Sequence, residues 1–123
     1  MKKVVPQDIS RVFLNIITNA CYEANRKKTE QIVNFSPTLL VRSKNLGDQI
    51  EIRIRDNGNG ITAAVRDKLF TPFFTTKPAG KGTGLGLSIS YDIVVHGHNG
   101  QITFETVEGE FTEFIISLPK TNR

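Results

Sequence analysis

Three groups of residues in this chain have types and spacings that could do chemistry. Asn15, Asn19 and Glu23 recur every fourth position, so on a helix of about 100° per residue each lies one turn above the last. Two carboxamides and a carboxylate in such a row offer oxygen ligands suited to Mg²⁺, which takes one or two protein oxygens and leaves the rest to water and phosphates. The same row would equally mark the polar border of an amphipathic helix. The second group, Asp56-Asn57-Gly58-Asn59-Gly60, ends an alternating strand. Its carboxylate is an acceptor that could read an adenine amino group, beside glycines that let backbone approach a flat ligand. A plain polar turn is the alternative, since Asn-Gly and Asp-x-Gly form turns readily. The third group is a ladder of Gly80, Gly82, Gly84 and Gly86, bordered by Lys77 and Lys81. It has neither the G-x-x-x-x-G-K-[ST] nor the G-x-G-x-x-G spacing. Its successive amides nevertheless lead into a helix starting near Leu85, whose positive end would suit triphosphate oxygens. A ligand-free hinge would explain Gly80 to Gly82. It explains Gly84 and Gly86 poorly, because each glycine within a helix costs about 1 kcal/mol relative to alanine.

Elements must position these groups. Ile9, Val12, Phe13, Ile16, Ile17, Ala20 and Ala24 form one apolar helical face, predicting a helix from Asp8, its N-cap, to about Lys27. Residues 29–37 lose the period and read as a loop. Strands are predicted over 38–44 and 50–56, joined by a turn at Asn45-Leu46-Gly47-Asp48. Thr62 would cap a short helix through Leu69, and 70–82 would be a mobile loop. A second long helix is expected from Leu85 to Val95, stopped by Gly97. Strands at 101–107 and 111–119 would close the fold as a hairpin around Glu108-Gly109. This order predicts helices packed on one face of a mixed sheet.

Composition bounds the answer without choosing a function. A chain of 123 residues, 38% hydrophobic and 23% charged, is one soluble domain by size and balance. The basic residues behind its net charge of +4 are scattered, which argues against nucleic acid as a partner. No apolar run is long enough to span a bilayer, and MKKVVPQDIS lacks the apolar core of a signal peptide. Cys21 is the single cysteine, so no internal disulfide forms and a cytoplasmic setting is expected. His96 and His98 read as polar residues ending the second helix; a metal reading of H-x-H finds no nearby Cys or carboxylate partners.

In order, N-x-x-x-N-A on a helix, D-x-G-x-G after a strand, L-F-x-P-F-F-T-T-K and G-x-G-T-G-L-G-L resemble the ATP-binding catalytic domain of sensor histidine kinases. That superfamily also holds gyrase, a heat-shock chaperone and mismatch-repair ATPases, and the resemblance runs from about Val4 to Pro119. It implies a two-layer α/β (α+β) sandwich of Bergerat type. The sheet would be mixed and mostly antiparallel, with about five strands and about three helices on one face. It implies ATP and Mg²⁺ as cofactors, with Asn19 as the metal ligand and Asn15 beside it near the phosphates. Asp56 would bind the adenine amino group, flanked by Gly58, Gly60 and Ile61. Phe70, Phe73 and Phe74 resemble the family's phenylalanine box, of which at least one is expected simply to pack. Thr75, Thr76 and Lys77 would lie in a nucleotide lid, with Lys77 on a phosphate. Gly82, Thr83, Gly84, Leu85, Gly86 and Leu87 would hinge that lid and wrap the phosphates. Thr112 would lie near adenine, although Phe111 stands where the family usually has glycine.

The resemblance also implies a reaction. Hydrolysing relatives carry a glutamate where this chain has Asn15, and a carboxamide cannot take a proton from water at neutral pH. A histidine acceptor is already nucleophilic when neutral, which favours a histidine kinase over an ATPase. Catalytic roles fall to Asn15, Asn19 and Glu23; Glu23 resembles the acidic position of the N-A-x-E-A subgroup. The alternatives are a serine kinase of the same fold, or a nucleotide-dependent interaction module without catalysis. Residues 1–123 would form the catalytic part of a longer kinase. Its partners would be the dimerisation and histidine-phosphotransfer domain and, indirectly, a response regulator receiver domain. The domain itself would be monomeric and would not touch a membrane, which is compatible with a parent anchored in the inner membrane.

Overall fold

The computed structural model describes residues 6–30, 35–70 and 86–120. Helix α1 spans Pro6–Glu30 and buries Ile9, Val12, Ile16, Ala20 and Ala24, the stripe expected from the sequence. It is longer at both ends than expected. Proline at the first position is tolerated because that amide has no partner within the helix, so Asp8 lies inside the first turn and does not cap it. At the other end the helix runs past position 29, where a loop was expected.

Strands β1 (Leu39–Asn45), β2 (Gln49–Asp56), β3 (Gln101–Val107) and β4 (Phe111–Pro119) form one sheet in the order β1-β2-β4-β3. Among the described residues the sheet has four strands, and each neighbouring pair is antiparallel. The β1–β2 turn is closed by Gly47 at φ 96° and by its amide donating to Asn45 Oδ1 at 2.9 Å. Helix α2 is a single turn, Ala63–Arg66, shorter than the helix expected to reach Leu69. The Thr62 side chain does not cap it; the Thr62 carbonyl accepts from the Val65 and Arg66 amides instead.

Helix α3 covers Gly86–Tyr91 and widens into a π-helical turn over Asp92–Gly97. Buried His98 explains the widening, because its Nδ1 lies 2.9 Å from the Ile93 carbonyl, five residues back. A carbonyl only accepts, so Nδ1 carries the proton. The Gly100 amide then donates to the Val94 carbonyl at 2.8 Å, and the chain enters β3. Of the two histidines read as polar helix-end residues, His96 is exposed and His98 is a buried internal tie. Among the described residues, no helix is long and apolar enough to cross a membrane.

The core lies between α1, α3 and the inner face of the sheet, with Ile54, Phe114, Ile116 and Leu118 facing Val12, Ile16 and Val94. Central strand β4 is buried on both faces. Outward-pointing Glu113 is 1% exposed, held by Arg53 Nη1 at 2.9 Å, Arg42 Nη2 at 3.0 Å and Arg55 Nε at 3.1 Å. Burial pushes its carboxyl up, but the hydrogen bonds from Arg53, Arg55 and Arg42 outweigh burial and leave it below the usual range. The inner face is apolar down to its end, where Thr112 and Asp56 stand opposite one another.

Phe114→Ala should cost about 3–5 kcal/mol in urea unfolding, because the surrounding rings cannot collapse into the space. Leu14→Ala, at a side chain 65% exposed, should change stability by less than about 0.5 kcal/mol.

Candidate nucleotide site

Asp56 ends β2 on the inner face, beneath the C-terminal half of α1. It is 1% exposed, and its Oδ1 accepts the Gly58 amide at 2.8 Å. Its carboxyl is pushed up to about 6, first by burial and further by nearby Glu23, with the Gly58 amide and Lys27 opposing. A carboxylate buried at that cost, at the end of an otherwise apolar face, makes Asp56 a candidate ligand-binding position.

The turn after Asp56 is fixed on every side by protein. A Cβ on Gly58 would meet Asp56 Oδ1 at 2.8 Å and the Glu23 carbonyl oxygen at 3.0 Å, so helix backbone occupies the space. Gly60 has φ 75°, and a Cβ there would lie 2.5 Å from the Val107 carbonyl oxygen. The need for glycine at both positions is therefore met by close packing inside the protein. The Gly109 amide donates to the Asn59 carbonyl at 2.6 Å, and the Ile61 amide donates to Thr106 Oγ1 at 2.9 Å. Thr106 Oγ1 in turn donates to the Phe111 carbonyl at 2.8 Å and lies 3.3 Å from Thr112 Oγ1. Thr112, buried and in register with Asp56, thus stands beside the carboxylate. Phe111 turns to the outer face, where the Arg55 guanidinium lies 4.0 Å over its ring.

Asn15, Asn19 and Glu23 follow one another along α1, all half-buried. Asn15 Nδ2 lies 3.4 Å from Oγ of buried Ser90, which ties the row to α3. Glu23 accepts from Arg26 at 2.7 Å. Phe70 packs with Tyr91 at 5.3 Å and with Phe104 and Phe114 beyond it, so this member of the aromatic box belongs to the core. Leu87 also packs against the core, and Gly86 begins α3. Phe73, Phe74, Thr75, Thr76, Lys77, Gly80, Lys81, Gly82, Thr83, Gly84 and Leu85 lie outside the described residues.

The chain matches the family described as histidine kinase-, DNA gyrase B- and HSP90-like ATPases over residues 4–122. It belongs to that family. It is 40% identical over 119 residues to the sensor protein kinase WalK of Staphylococcus aureus, covering 93% of this chain. It spans 26% of the length of that relative and 18% of the same kinase from strain JH9. The catalytic domain of the histidine kinase ThkA superposes with a TM-score of 0.78 at 29% identity, covering 98% of this chain and 71% of that one. The mycobacterial sensor histidine kinase MprB, at 24% identity and a TM-score of 0.76, shares the fold. The family's ATP-binding domain, of the sensor histidine kinase type, is therefore what these residues build.

The row on α1 extends one turn beyond Glu23. Lys27 continues the spacing of four from Asn15, Asn19 and Glu23, and it is buried against the Asp56 turn. Thr106 had no local signal, because its role comes from the register of β3 with β4.

An acid whose folded value lies above its unfolded one gives stability at low pH that is lost as pH rises through the folded value. For Asp56 the loss falls between about pH 4 and 6 and amounts to about 3 kcal/mol. Asp56→Asn should therefore raise the melting temperature of the nucleotide-free domain at pH 8, and the gain should vanish near pH 4. A scan showing equal melting at both pH values would remove the burial argument.

Proposed function

We propose that this domain binds Mg·ATP and directs the γ-phosphoryl group to a histidine on the dimerisation domain of its parent sensor kinase. The observation that carries the reading is the buried Asp56 carboxylate set opposite Thr112 at the end of the sheet's inner face, the face on which α1 and its carboxamide row pack. The fit is chemical. A charged acceptor in an apolar recess suits the adenine amino group, and oxygen-bearing Asn19 suits a hard cation. Bound there, ATP supplies the transferable phosphoryl group. Asp56 and Thr112 orient the base, Asn19 holds the metal, and Asn15, anchored near Ser90, lies beside the phosphates.

Histidine is favoured over serine as acceptor by the state of Glu23. A hydroxyl acceptor needs a base, and the Glu23 carboxylate is engaged by Arg26 at 2.7 Å. Neutral imidazole needs none. The full kinase would place the domain against its phospho-accepting helices in a cytoplasmic signalling pathway that ends on a receiver domain.

Isothermal calorimetry should show Mg²⁺-dependent ATP binding by the parent chain, lost by at least about tenfold in Asn19→Ala. ATP should bind more tightly than GTP, and Asp56→Asn should narrow that difference; equal affinities in the parent chain would contradict the base assignment. Supplied with a histidine-bearing hairpin, the domain should give an acid-labile, alkali-stable phosphoprotein, whereas an acid-stable product would favour serine.

A further inference from the structure

Lys27 is 8% exposed, unusual for a lysine, and lies on the inner side of α1. Its Nζ donates to the Gly109 carbonyl at 2.8 Å and to the Gly58 carbonyl at 3.4 Å, and sits 4.9 Å over the Phe35 ring. Carbonyl dipoles and a ring face offset the cost of taking an ammonium out of water. These contacts join four parts of the chain: the end of α1, the segment leading to β1, the turn after β2 and the β3–β4 hairpin.

Gly58 is the pivot. Its amide donates to Asp56 Oδ1 while its carbonyl accepts from Lys27, so one peptide residue is gripped from both ends. With glycine forced by the Glu23 backbone, Gly58 cannot shift without moving the Asp56 carboxylate. The charged groups acting on Asp56 are Glu23 and Lys27, both from α1; Leu39 of β1 and Thr112 of β4, opposite it in the sheet, are uncharged. Lys27 thus opposes both burial and Glu23.

We propose that Lys27 is a positioning residue of the nucleotide site: by donating to the Gly58 and Gly109 carbonyls it fixes the Asp56–Gly60 turn and so the placement of the Asp56 acceptor for the adenine amino group. This rests on the ATP-binding reading above. Lys27 acts through Asp56, so its removal changes both the affinity for adenine nucleotides and the pH at which that affinity fails. Affinity is full above the Asp56 titration and falls as pH drops through it; loss of the Lys27 charge moves that fall to higher pH.

The test is calorimetric titration of Mg·ATP and Mg·GTP between pH 5 and 8.5 on the parent chain and four variants. Lys27→Met should bind ATP about tenfold more weakly at pH 8, with its acid loss beginning at higher pH than in the parent. Lys27→Gln keeps donors but not charge, so its affinity at pH 8.5 should stay near that of the parent while its midpoint moves up as in Lys27→Met. Lys27→Arg should keep the parent midpoint, and Lys28→Met, at an exposed neighbour, should match the parent throughout. Circular dichroism confirms folding, and Lys27→Gln and Lys27→Arg decide the matter if Lys27→Met does not fold. Folded Lys27→Gln with an unmoved midpoint would overturn the proposal, leaving Lys27 a structural tie. No binding of ATP by the parent chain at any pH would overturn the ATP-binding reading and this inference with it.

Discussion

The site depends on one unfavourable act: β2 ends by placing the Asp56 carboxylate where water does not reach it. In a domain built for stability alone, an apolar residue or a threonine there would continue the inner face of the sheet. The carboxylate is tolerated because the Gly58 amide and the Lys27 charge partly offset the lost hydration. The remaining cost persists in the nucleotide-free protein, which is the usual relation between a preorganised polar group and its ligand.

A second buried carboxylate, one strand away, shows what full compensation looks like. Glu113 follows Thr112 on β4 and points to the opposite face, where three guanidinium groups converge on it. Its carboxyl is held below the ordinary range while that of Asp56 is held above it, although both are 1% exposed. Asp56 is the more deeply enclosed of the two, and it also has fewer positive partners: one lysine of α1 that donates to carbonyls, against three arginines at Glu113. Glu113 is thus a structural joint across β1, β2 and β4, whereas among the described residues the Asp56 carboxylate is bonded only to the neighbouring Gly58 amide.

The β3–β4 hairpin matters to the site more than its distance along the chain suggests. Thr106, Gly109 and Thr112 all bond into the turn after Asp56 or stand beside it. The surroundings of Asp56 are therefore a three-way junction of α1, the β2 turn and the final hairpin. Rigidity of this kind positions a ligand without a large conformational change, which suits the base end of a nucleotide site.

Much of this was legible in the residues themselves. Alternation in Ile50, Ile52 and Ile54, the apolar stripe of α1 and the two glycine-rich stretches depend on local physics, which is written in the order of residues. The strand limits at 101–107 and 111–119 agree with the structure for the same reason. Tertiary structure alone decided what those local pieces met. Gly58 and Gly60 are small because helix and hairpin backbone press on them; His98 widens a helix because it reaches a carbonyl five residues back. Lys27 became part of the site only when α1 was laid against the turn of β2. Contacts between residues 31, 50 or 82 positions apart carry no periodicity, because the spacing that creates them exists only in the folded chain.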